Sequence, residues 1–292
     1  MLSVLIPTYN YNAFFLVQEI HQQLILENIK FEIICLDDGS KSPLNVKNKE
    51  INKLSFSSFK SLEHNIGRSA IRNLLAKKAT YNWLLFLDAD VIPVKSNFIR
   101  KYISCSAKDK TVFCGGLLYE DIKENFKLLR YKYGKKHEEI SVEKRIAHPD
   151  KYFFTSNFLI QKETFNSVKF EEKLIQYGRE DLLFSLELIK KGHIIEHINN
   201  EVYHLGLDKN DLFVAKTKEA MENLIFIDKQ NLIDTEEMPL VSLVRKIAAV
   251  RMTRIVGMFH LFFEKLAIKQ SSVFFLNCMK VSYMCYLKLK HE

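Results

Sequence analysis

The sequence predicts an α/β protein with a mostly parallel central sheet flanked by helices and followed by a C-terminal helical extension. Over the first hundred residues, short apolar runs alternate with segments of helical periodicity, which indicates repeated strand–helix–strand units. The run WLLFL at 83–87 is almost wholly apolar, as is typical of a strand covered on both faces of a parallel sheet. From residue 240 onward the pattern is helical, apolar and basic.

Turn residues and periodicity predict the first elements in order. An apolar run predicts a strand at 3–6, which ends at the turn-prone sequence PTYN at 7–10. Residues 13–26 carry apolar side chains at helical spacing and predict a helix. A second strand is predicted at 31–36 and is closed by DDGS at 37–40.

The remaining elements are assigned in the same way. After a strand near 54–61 and a helix through residue 78, strands are predicted at 83–87, 111–118, 153–160, 194–198 and 202–203, and helices at 181–191 and from 208 onward. The segment 120–150 is polar and basic and is predicted to be a long excursion from the sheet. We expect an α/β domain at 1–206 and a helical extension at 207–292.

Composition excludes several classes of protein. The chain has 292 residues, of which 47% are hydrophobic and 27% are charged. This composition is typical of a globular protein and excludes a disordered or collagen-like chain. Its 5 cysteines form no CxxC pair, and an odd count favours reduced thiols in a cytoplasmic protein. The first apolar run is too short for a signal peptide, so we expect no leader.

The positive charge is concentrated at the C-terminus. Residues 241–292 hold nine Lys and Arg and two acids, a net +7 of the chain's +8. Their uncharged stretches, 255–263 and 270–279, are shorter than the roughly 20 residues needed to cross a bilayer. These features favour a helix lying on an anionic membrane surface, and the bases interleaved with apolar runs argue against nucleic acid. The alternatives, in which these helices pack on the main domain or against another copy in a homo-oligomer, stay open.

Acidic residues follow the predicted strands. Asp88 and Asp90, separated by Ala89, follow the strand at 83–87, where ligands gather at the carboxyl edge of a parallel sheet. Such a pair can serve a divalent cation and a sugar hydroxyl together. Asp37 and Asp38 end another strand and form either a simple turn or acceptors for a nucleoside.

Two later positions complete the candidate set. Glu180 and Asp181 open a predicted helix, either as an acidic first turn favourable to the helix dipole or as carboxylates presented to a pocket. His204 ends an apolar segment and is either a structural histidine or a metal ligand.

In this order, the clusters resemble the inverting family-2 glycosyltransferases of GT-A (Rossmann-like) fold, over residues 1–206. The stretch NIGRSAIRN at 65–73 is similar to that family's NxGxSxARN, with Ile71 in place of its usual Ala. The matching motifs are PTYN at 7–10, DDGS at 37–40, DAD at 88–90, the Glu180-Asp181 pair and His204.

The resemblance implies a role for each of these residues. Asp181 would be the base that deprotonates the acceptor, and Glu180 would orient it. Asp90 and His204 would hold Mn²⁺ or Mg²⁺. The nucleotide and donor sugar would be bound by Pro7, Thr8, Tyr9, Asp37, Asp38, Arg68, Asp88, Ala89 and Asp90. Lys and Arg residues of 120–150 would cover the diphosphate.

The resulting hypothesis is a metal-dependent inverting hexosyltransferase, with a UDP-linked sugar as donor and a saccharide or lipid-linked acceptor. It would act in bacterial polysaccharide or glycolipid synthesis, in the cytoplasm or on the inner face of the membrane. Two alternatives remain open. The first is a nucleotidyltransferase, which would need a glycine-rich basic loop after the first strand. The sequence PTYN at 7–10 is not such a loop. A membrane-recruited scaffold with a decayed transferase domain would have lost acids that this chain retains.

Overall fold

The computed structural model describes residues 1–106, 111–174 and 177–291. The chain divides into two compact units. The sheet unit comprises residues 1–120, 138–173 and 180–206, and the helical unit comprises 121–137, 174–179 and 207–292. The strands, in chain order, are β1 (Leu2–Thr8), β2 (Phe31–Asp37), β3 (Ser57–Ser61), β4 (Trp83–Leu87), β5 (Val91–Pro93), β6 (Thr111–Cys114), β7 (Leu117–Leu118), β8 (Asn157–Gln161), β9 (Ile194–His197) and β10 (Val202–His204).

The central sheet has the strand order β3-β2-β1-β4-β8-β6-β9. Its neighbouring pairs β1–β2, β1–β4, β2–β3 and β6–β9 are parallel, whereas β8 runs antiparallel to both β4 and β6. The predicted mostly parallel sheet is therefore confirmed. Because β1, β2 and β4 are parallel neighbours, their carboxyl ends meet at one edge, where PTYN, DDGS and DAD begin.

Both faces of this sheet are covered by apolar side chains. Along β4, Leu85 and Leu87 belong to one buried cluster, while Leu84 and Phe86 belong to the other. This alternation follows from the two-residue period of a strand. The apolar run at 83–87 is therefore a central strand, as its composition predicts.

The predicted strand at 111–118 is wrong as a single element. Gly115 and Gly116 divide it into β6 of the central sheet and β7 of a small sheet, whose order is β5-β10-β7. Gly116 has a φ of +92°, which ends the extended backbone. A Cβ on Gly115 would lie 2.1 Å from the Asn200 carbonyl oxygen, so the chain passes too close for a side chain.

The predicted strand at 153–160 begins later, at Asn157. The amide of Phe153 donates to the Asp150 carbonyl and closes a turn there. The excursion predicted at 120–150 instead contains two helices and a short 3₁₀ turn. The helices, in chain order, are α1 (Phe14–Leu26), α2 (Asn45–Asn48), α3 (Arg68–Lys78), α4 (Phe98–Cys105), α5 (Leu129–His137), α6 (Val142–Ala147), α7 (Lys162–Val168), α8 (Glu180–Lys190), α9 (Asn210–Lys229), α10 (Pro239–Ala249), α11 (Thr253–Met258), α12 (His260–Gln270) and α13 (Val273–His291).

The helical unit is built around α13. This helix packs against α9, α10, α11 and α12, and buries Leu276, Met279 and Cys285. The Tyr283 hydroxyl donates to Glu222 of α9 over 2.8 Å. None of the helices in the described ranges is long and apolar enough to span a bilayer.

Candidate active site

The loop after β1 lies beside the end of β2. Thr8 is buried, its carbonyl accepts the amide of Asp38 over 2.9 Å, and its hydroxyl donates to the Tyr11 carbonyl over 3.3 Å. Tyr9 is 58% exposed, so its ring is available to a ligand. Pro7, Thr8 and Tyr9 therefore lie at the carboxyl edge of the sheet, and their contact with a nucleotide stays a prediction.

Asp37 is held by its own turn. Its carboxylate accepts hydrogen bonds from the Ser40 amide at 3.1 Å, the Ser40 hydroxyl at 2.5 Å and the Asn45 side chain at 2.8 Å. The residue is completely buried. These bonds fix the DDGS turn, so they support the reading of Asp37 as a turn residue more directly than as a ligand to a base.

Asp38 holds the loop that leads into α3 through hydrogen bonds from two backbone amides. Its two carboxylate oxygens accept the amides of Ile66 at 2.8 Å and Gly67 at 3.0 Å. Gly67 has a φ of +92° and precedes Arg68, the first residue of α3. Burial raises the pKa of Asp38 above its ordinary value, even though both amides lower it.

Two arginines of α3 join DAD to the Glu180-Asp181 pair. Arg72 Nη2 donates to Asp88 Oδ1 over 2.6 Å, and Arg68 Nε donates to Glu180 Oε1 over 2.8 Å. The crossed pairs, Arg68–Asp88 and Arg72–Glu180, are each 3.8 Å apart. This arginine–carboxylate network belongs entirely to the sheet unit.

Burial and charge act in opposite directions on the two carboxylates of the network. Burial raises the pKa of Asp88, but the guanidinium groups of Arg72 and Arg68 lower it, and the net shift is downward. For Glu180, burial likewise raises the pKa, while Arg68 and then Arg72 lower it below the ordinary value. Both carboxylates are therefore ionised at neutral pH.

Asp181 lies in the first turn of α8, next to Glu180. It is half-buried, and its Oδ1 accepts the Leu182 amide over 2.8 Å. The arginine–carboxylate network holds Glu180, the residue before Asp181, at the same edge of the sheet as Asp88. A half-buried carboxylate in this position suits a base that must meet an acceptor hydroxyl.

Asp90 and His204 come together across a strand pair. His204 of β10 pairs with Val91 of β5, and its Nε2 lies 3.7 Å from Asp90 Oδ2. The His204 ring stacks on Tyr119 with 5.5 Å between ring centroids. A Cβ on Gly206 would lie 2.0 Å from Asp90 Oδ2, so the chain closes tightly around this carboxylate.

The Asp90–His204 pair fits a divalent cation in its donor chemistry. One carboxylate oxygen and one imidazole nitrogen are both ligands of Mn²⁺-type ions, and Asp90 is 30% exposed, which leaves room for further oxygen ligands. Within the described residues, no group of three His, Cys, Asp or Glu side chains could hold a metal by itself. Asp90 and His204 could therefore serve as two ligands of such a cation.

Some functional residues were not assigned from the sequence. Arg72 lies within the stretch NIGRSAIRN at 65–73, and its spacing of four residues from Arg68 places both arginines on one helix face. Tyr119 gave no sequence signal. Arg145, from the segment predicted to cover a diphosphate, is instead completely buried and donates to the Cys114, Gly115 and Ile198 carbonyls.

A cleft of about 540 Å³ lies at the β3 edge of the sheet. It is lined by Lys41, Ser42, Asn45, Lys49, Asn52, Phe59, Lys60, Ser61 and Leu62. None of these is a predicted site residue, although Asn45 donates to Asp37 over 2.8 Å. The site is therefore assigned from the arginine–carboxylate network and the Asp90–His204 pair, not from this cleft.

Comparison with known sequences identifies the family. Residues 3–172, more than half of the 292-residue chain, match the family described as glycosyl transferase family 2. The chain belongs to glycosyl transferase family 2. The predicted family is confirmed, and with it the α/β fold seen in the central sheet. The matched span contains PTYN, DDGS, α3 and DAD, whereas Glu180, Asp181 and His204 lie beyond it.

Two similar proteins are chondroitin synthases. The one from Pasteurella multocida (strain Pm70) is 27% identical over 239 residues, which cover 70% of this chain and 24% of that protein. The one from Escherichia coli is 26% identical over 239 residues, which cover 70% of this chain and 34% of that protein. This family-2 chain thus spans about a quarter to a third of the length of these relatives.

Among solved structures, the chain is similar to S. aureus TarS 1–349. The crystal structure of that protein gives a TM-score of 0.47 at 17% identity, and its complex with UDP gives 0.48 at 15% identity. Each similarity covers 98% of this chain and 91% of the TarS chain.

Proposed function

We propose that this family-2 chain transfers a hexose from a nucleotide sugar, UDP-linked as the family resemblance implies, to a hydroxyl acceptor with inversion. The observation that carries the proposal is the arginine–carboxylate network. Through Arg68 and Arg72 it joins Asp88, at the end of β4, to Glu180, at the start of α8. Asp90 and Asp181 are within two residues of these anchors, so donor and acceptor chemistry can share one sheet edge.

The donor would lie along the carboxyl ends of β1, β2 and β4. Thr8 and Tyr9 would line the nucleoside, with Asp38 holding the loop on its far side and Asp88 facing the ribose or sugar. Asp90 and His204 would hold Mn²⁺ or Mg²⁺, which when bound neutralises charge on the diphosphate. Tyr119 would keep the His204 ring in place through the stacking contact.

The acceptor reaction would need a single base. Asp181 would take the proton of the acceptor hydroxyl as its oxygen bonds to the anomeric carbon, while the bond from that carbon to the diphosphate oxygen breaks. Attack and departure on opposite faces invert the anomeric centre. Glu180, fixed by Arg68 at 2.8 Å, would hold the first turn of α8 so that Asp181 meets the hydroxyl.

A saccharide acceptor is favoured by the relatives. Both are named chondroitin synthases, so a growing polysaccharide is the acceptor we propose for this chain, with a lipid-linked saccharide as the form suited to its basic C-terminal helices. Among the alternatives, nucleotidyl transfer is disfavoured by the family match. A scaffold without activity is disfavoured because Asp88, Asp90, Glu180 and Asp181 are all retained.

The test is a screen of UDP-sugars with Mn²⁺ and oligosaccharide acceptors, read by product mass. For the matching donor, Asp181→Asn should reduce the turnover number about 10²–10⁴-fold, the usual contribution of a general base. Asp211→Asn is the matched control, because Asp211 also lies in the first turn of a helix, α9. Undiminished turnover by Asp181→Asn would remove Asp181 as the base. Absence of any thermal shift with UDP and Mn²⁺ would favour the scaffold.

A further inference from the structure

Helices α11 and α12 turn their small residues inward. Thr253, Gly257 and Ala267 are buried, whereas half of the larger apolar side chains of the two helices are exposed. Gly257 lies against α13, where an added Cβ would approach the Tyr286 amide nitrogen to 3.1 Å. The close packing of these helices thus uses their small residues, which is the reverse of a water-facing amphipathic helix.

Exposed apolar side chains cluster at the junction of α11 and α12. The members of this cluster, which we call the outer stripe, are Ile255, Met258, Phe259 and Phe262, with exposures of 56%, 73%, 48% and 56%. Ile255 and Met258 lie on α11, Phe262 lies on α12, and Phe259 joins the two helices, so the exposed apolar side chains run across their junction. Scattered exposed apolar residues are common, but four exposed apolar side chains between residues 255 and 262, two of them phenylalanines, indicate a contact surface.

Exposed bases flank the outer stripe at both ends. Arg251 and Arg254 precede it, and Lys265 and Lys269 follow it. The one acid within α10, α11 and α12 is Glu264, which is paired with Lys218 at 3.0 Å. The surface therefore combines apolar side chains with a positive border.

We propose that the outer stripe and its four flanking bases dock in the plane of an anionic lipid bilayer. Charge complementarity selects this occupant. A second copy of the chain on a two-fold axis would bring the same bases against one another, whereas anionic headgroups compensate them while the acyl region accepts the apolar side chains.

The first experiment measures flotation of the full chain with vesicles in the absence of any sugar, so its result is independent of the proposed transferase activity. The chain should bind phosphatidylcholine vesicles containing about 30% phosphatidylglycerol and bind pure phosphatidylcholine far less. Met258→Gln with Phe262→Gln should lower the partition coefficient about tenfold or more. Leu26→Gln with Val46→Gln, at residues 75% and 72% exposed in the sheet unit, should leave it unchanged.

The flanking bases are tested separately. Each base near an anionic surface contributes about 1 kcal/mol, so Arg254→Gln with Lys265→Gln should weaken partition roughly 25-fold at low salt. Lys77→Gln with Lys78→Gln, at the exposed end of α3, is the charge-matched control and should change nothing. Raising the salt concentration should reduce binding of the parent and bring it towards the variant.

A variant that gains a fluorescence signal on binding shows that the effect of a substitution is not caused by misfolding. Phe262→Trp should shift its fluorescence emission to the blue with phosphatidylglycerol vesicles and not with phosphatidylcholine alone. The proposal fails if the parent does not float with anionic vesicles, or if the control variants lose as much binding as the stripe variants. It also fails if the parent is a dimer that Phe262→Gln converts to monomers while vesicle binding is unchanged, since a second copy would then be the occupant.

Discussion

Arg72 and Asp88 form a hydrogen-bonded ion pair of 2.6 Å in which only 2% of the arginine side chain is exposed. The pair joins α3 to the end of β4, and the Arg72 guanidinium also lies 5.7 Å from the centre of the Phe170 ring. Asp88 is thus both a proposed donor-binding residue and the partner of a buried cation. The folding of the sheet edge and the geometry of the site depend on the same contact.

Replacing Arg72 by Met should destabilise the fold by about 3–5 kcal/mol, because it removes the partner of a largely buried carboxylate. The measurement is the free energy of unfolding in urea. Arg100→Met is the control, because Arg100 is 69% exposed in its 3.0 Å pair with Glu27 and should cost less than about 1 kcal/mol. Equal losses in the two variants would contradict a buried role for Arg72.

The network also predicts acid sensitivity. The folded-state pKa values of Asp88 and Glu180 lie below their ordinary values, so the unfolded chain binds more protons in acid. The stability they contribute is complete above about pH 5 and is lost as the pH falls through about 4 and below. Glu180→Gln removes one of these groups, so its melting temperature should fall less between pH 6 and pH 3 than that of the parent.

A comparison at pH 6 separates this effect from simple destabilisation. There Glu180→Gln should melt below the parent, since Arg68 and Arg72 lose a charged partner, and the two melting temperatures should converge in acid. Glu50→Gln is the control, because solvent screens the exposed pair of Glu50 with Lys53, and it should change the acid profile far less than Glu180→Gln does. Parallel profiles for the parent and Glu180→Gln would contradict the network's part in acid stability.

The fold could be predicted largely from the sequence because its strands carry strong local patterns. The apolar run of β4 and the acids that follow it predicted a central strand and a carboxylate edge, and both are present. The prediction of a single strand at 111–118 was wrong because it was made from β propensity, whereas Gly115 and Gly116 redirect the backbone from one sheet to the other. A glycine is needed at position 115 because the Asn200 carbonyl oxygen lies close to it, and Asn200 is distant in sequence.

The candidate site was predicted in part. Residues next to strand ends could be proposed as candidates because position along a parallel strand fixes their location, and their roles stay predictions. Arg72 was left without a role because nothing in the sequence distinguishes a buried arginine from one on the surface of a helix. The stacking of Tyr119 on His204 was missed because it joins the residue after β7 to the end of β10, and these two short strands pair only in the small sheet.

The loop around Asp90 predicts the effect of adding one methyl group. In Gly206→Ala the new Cβ would lie 2.0 Å from Asp90 Oδ2, 2.8 Å from its Cγ and 2.9 Å from its Cβ, so the Asp90 side chain must rotate and shift away. If Asp90 and His204 hold the cation as proposed, the Mn²⁺ concentration for half-maximal turnover should rise about tenfold or more. Leu205→Ala, at the adjacent residue, is the control and should leave it unchanged.

The same Gly206→Ala protein can be tested without turnover. Isothermal titration with Mn²⁺ and UDP should show weaker binding for Gly206→Ala and normal binding for Leu205→Ala. The backbone bond from the Leu205 amide to the Asp90 carbonyl, 2.8 Å long, remains in both variants, so the loop itself should keep its fold. Normal Mn²⁺ dependence in Gly206→Ala would place the cation away from Asp90.

The last prediction concerns Arg145, whose guanidinium lies in the core and donates to the carbonyls of Cys114, Gly115 and Ile198. Arg145→Met would leave these buried acceptors without their donor, so the free energy of unfolding should fall by about 3–5 kcal/mol. Lys144→Met, at the exposed neighbouring position of α6, should change it by less than about 0.5 kcal/mol.

The folded fraction of Arg145→Met should keep its catalytic constants at low temperature, because the contacts of Arg145 join β6, α6 and the segment after β9 and include neither Asp90 nor Asp181. A variant that is stable but has a raised KM for the nucleotide sugar would return Arg145 to the diphosphate role first predicted for its segment. Unfolding in urea and turnover at about 10 °C, measured on one preparation, decide between these outcomes.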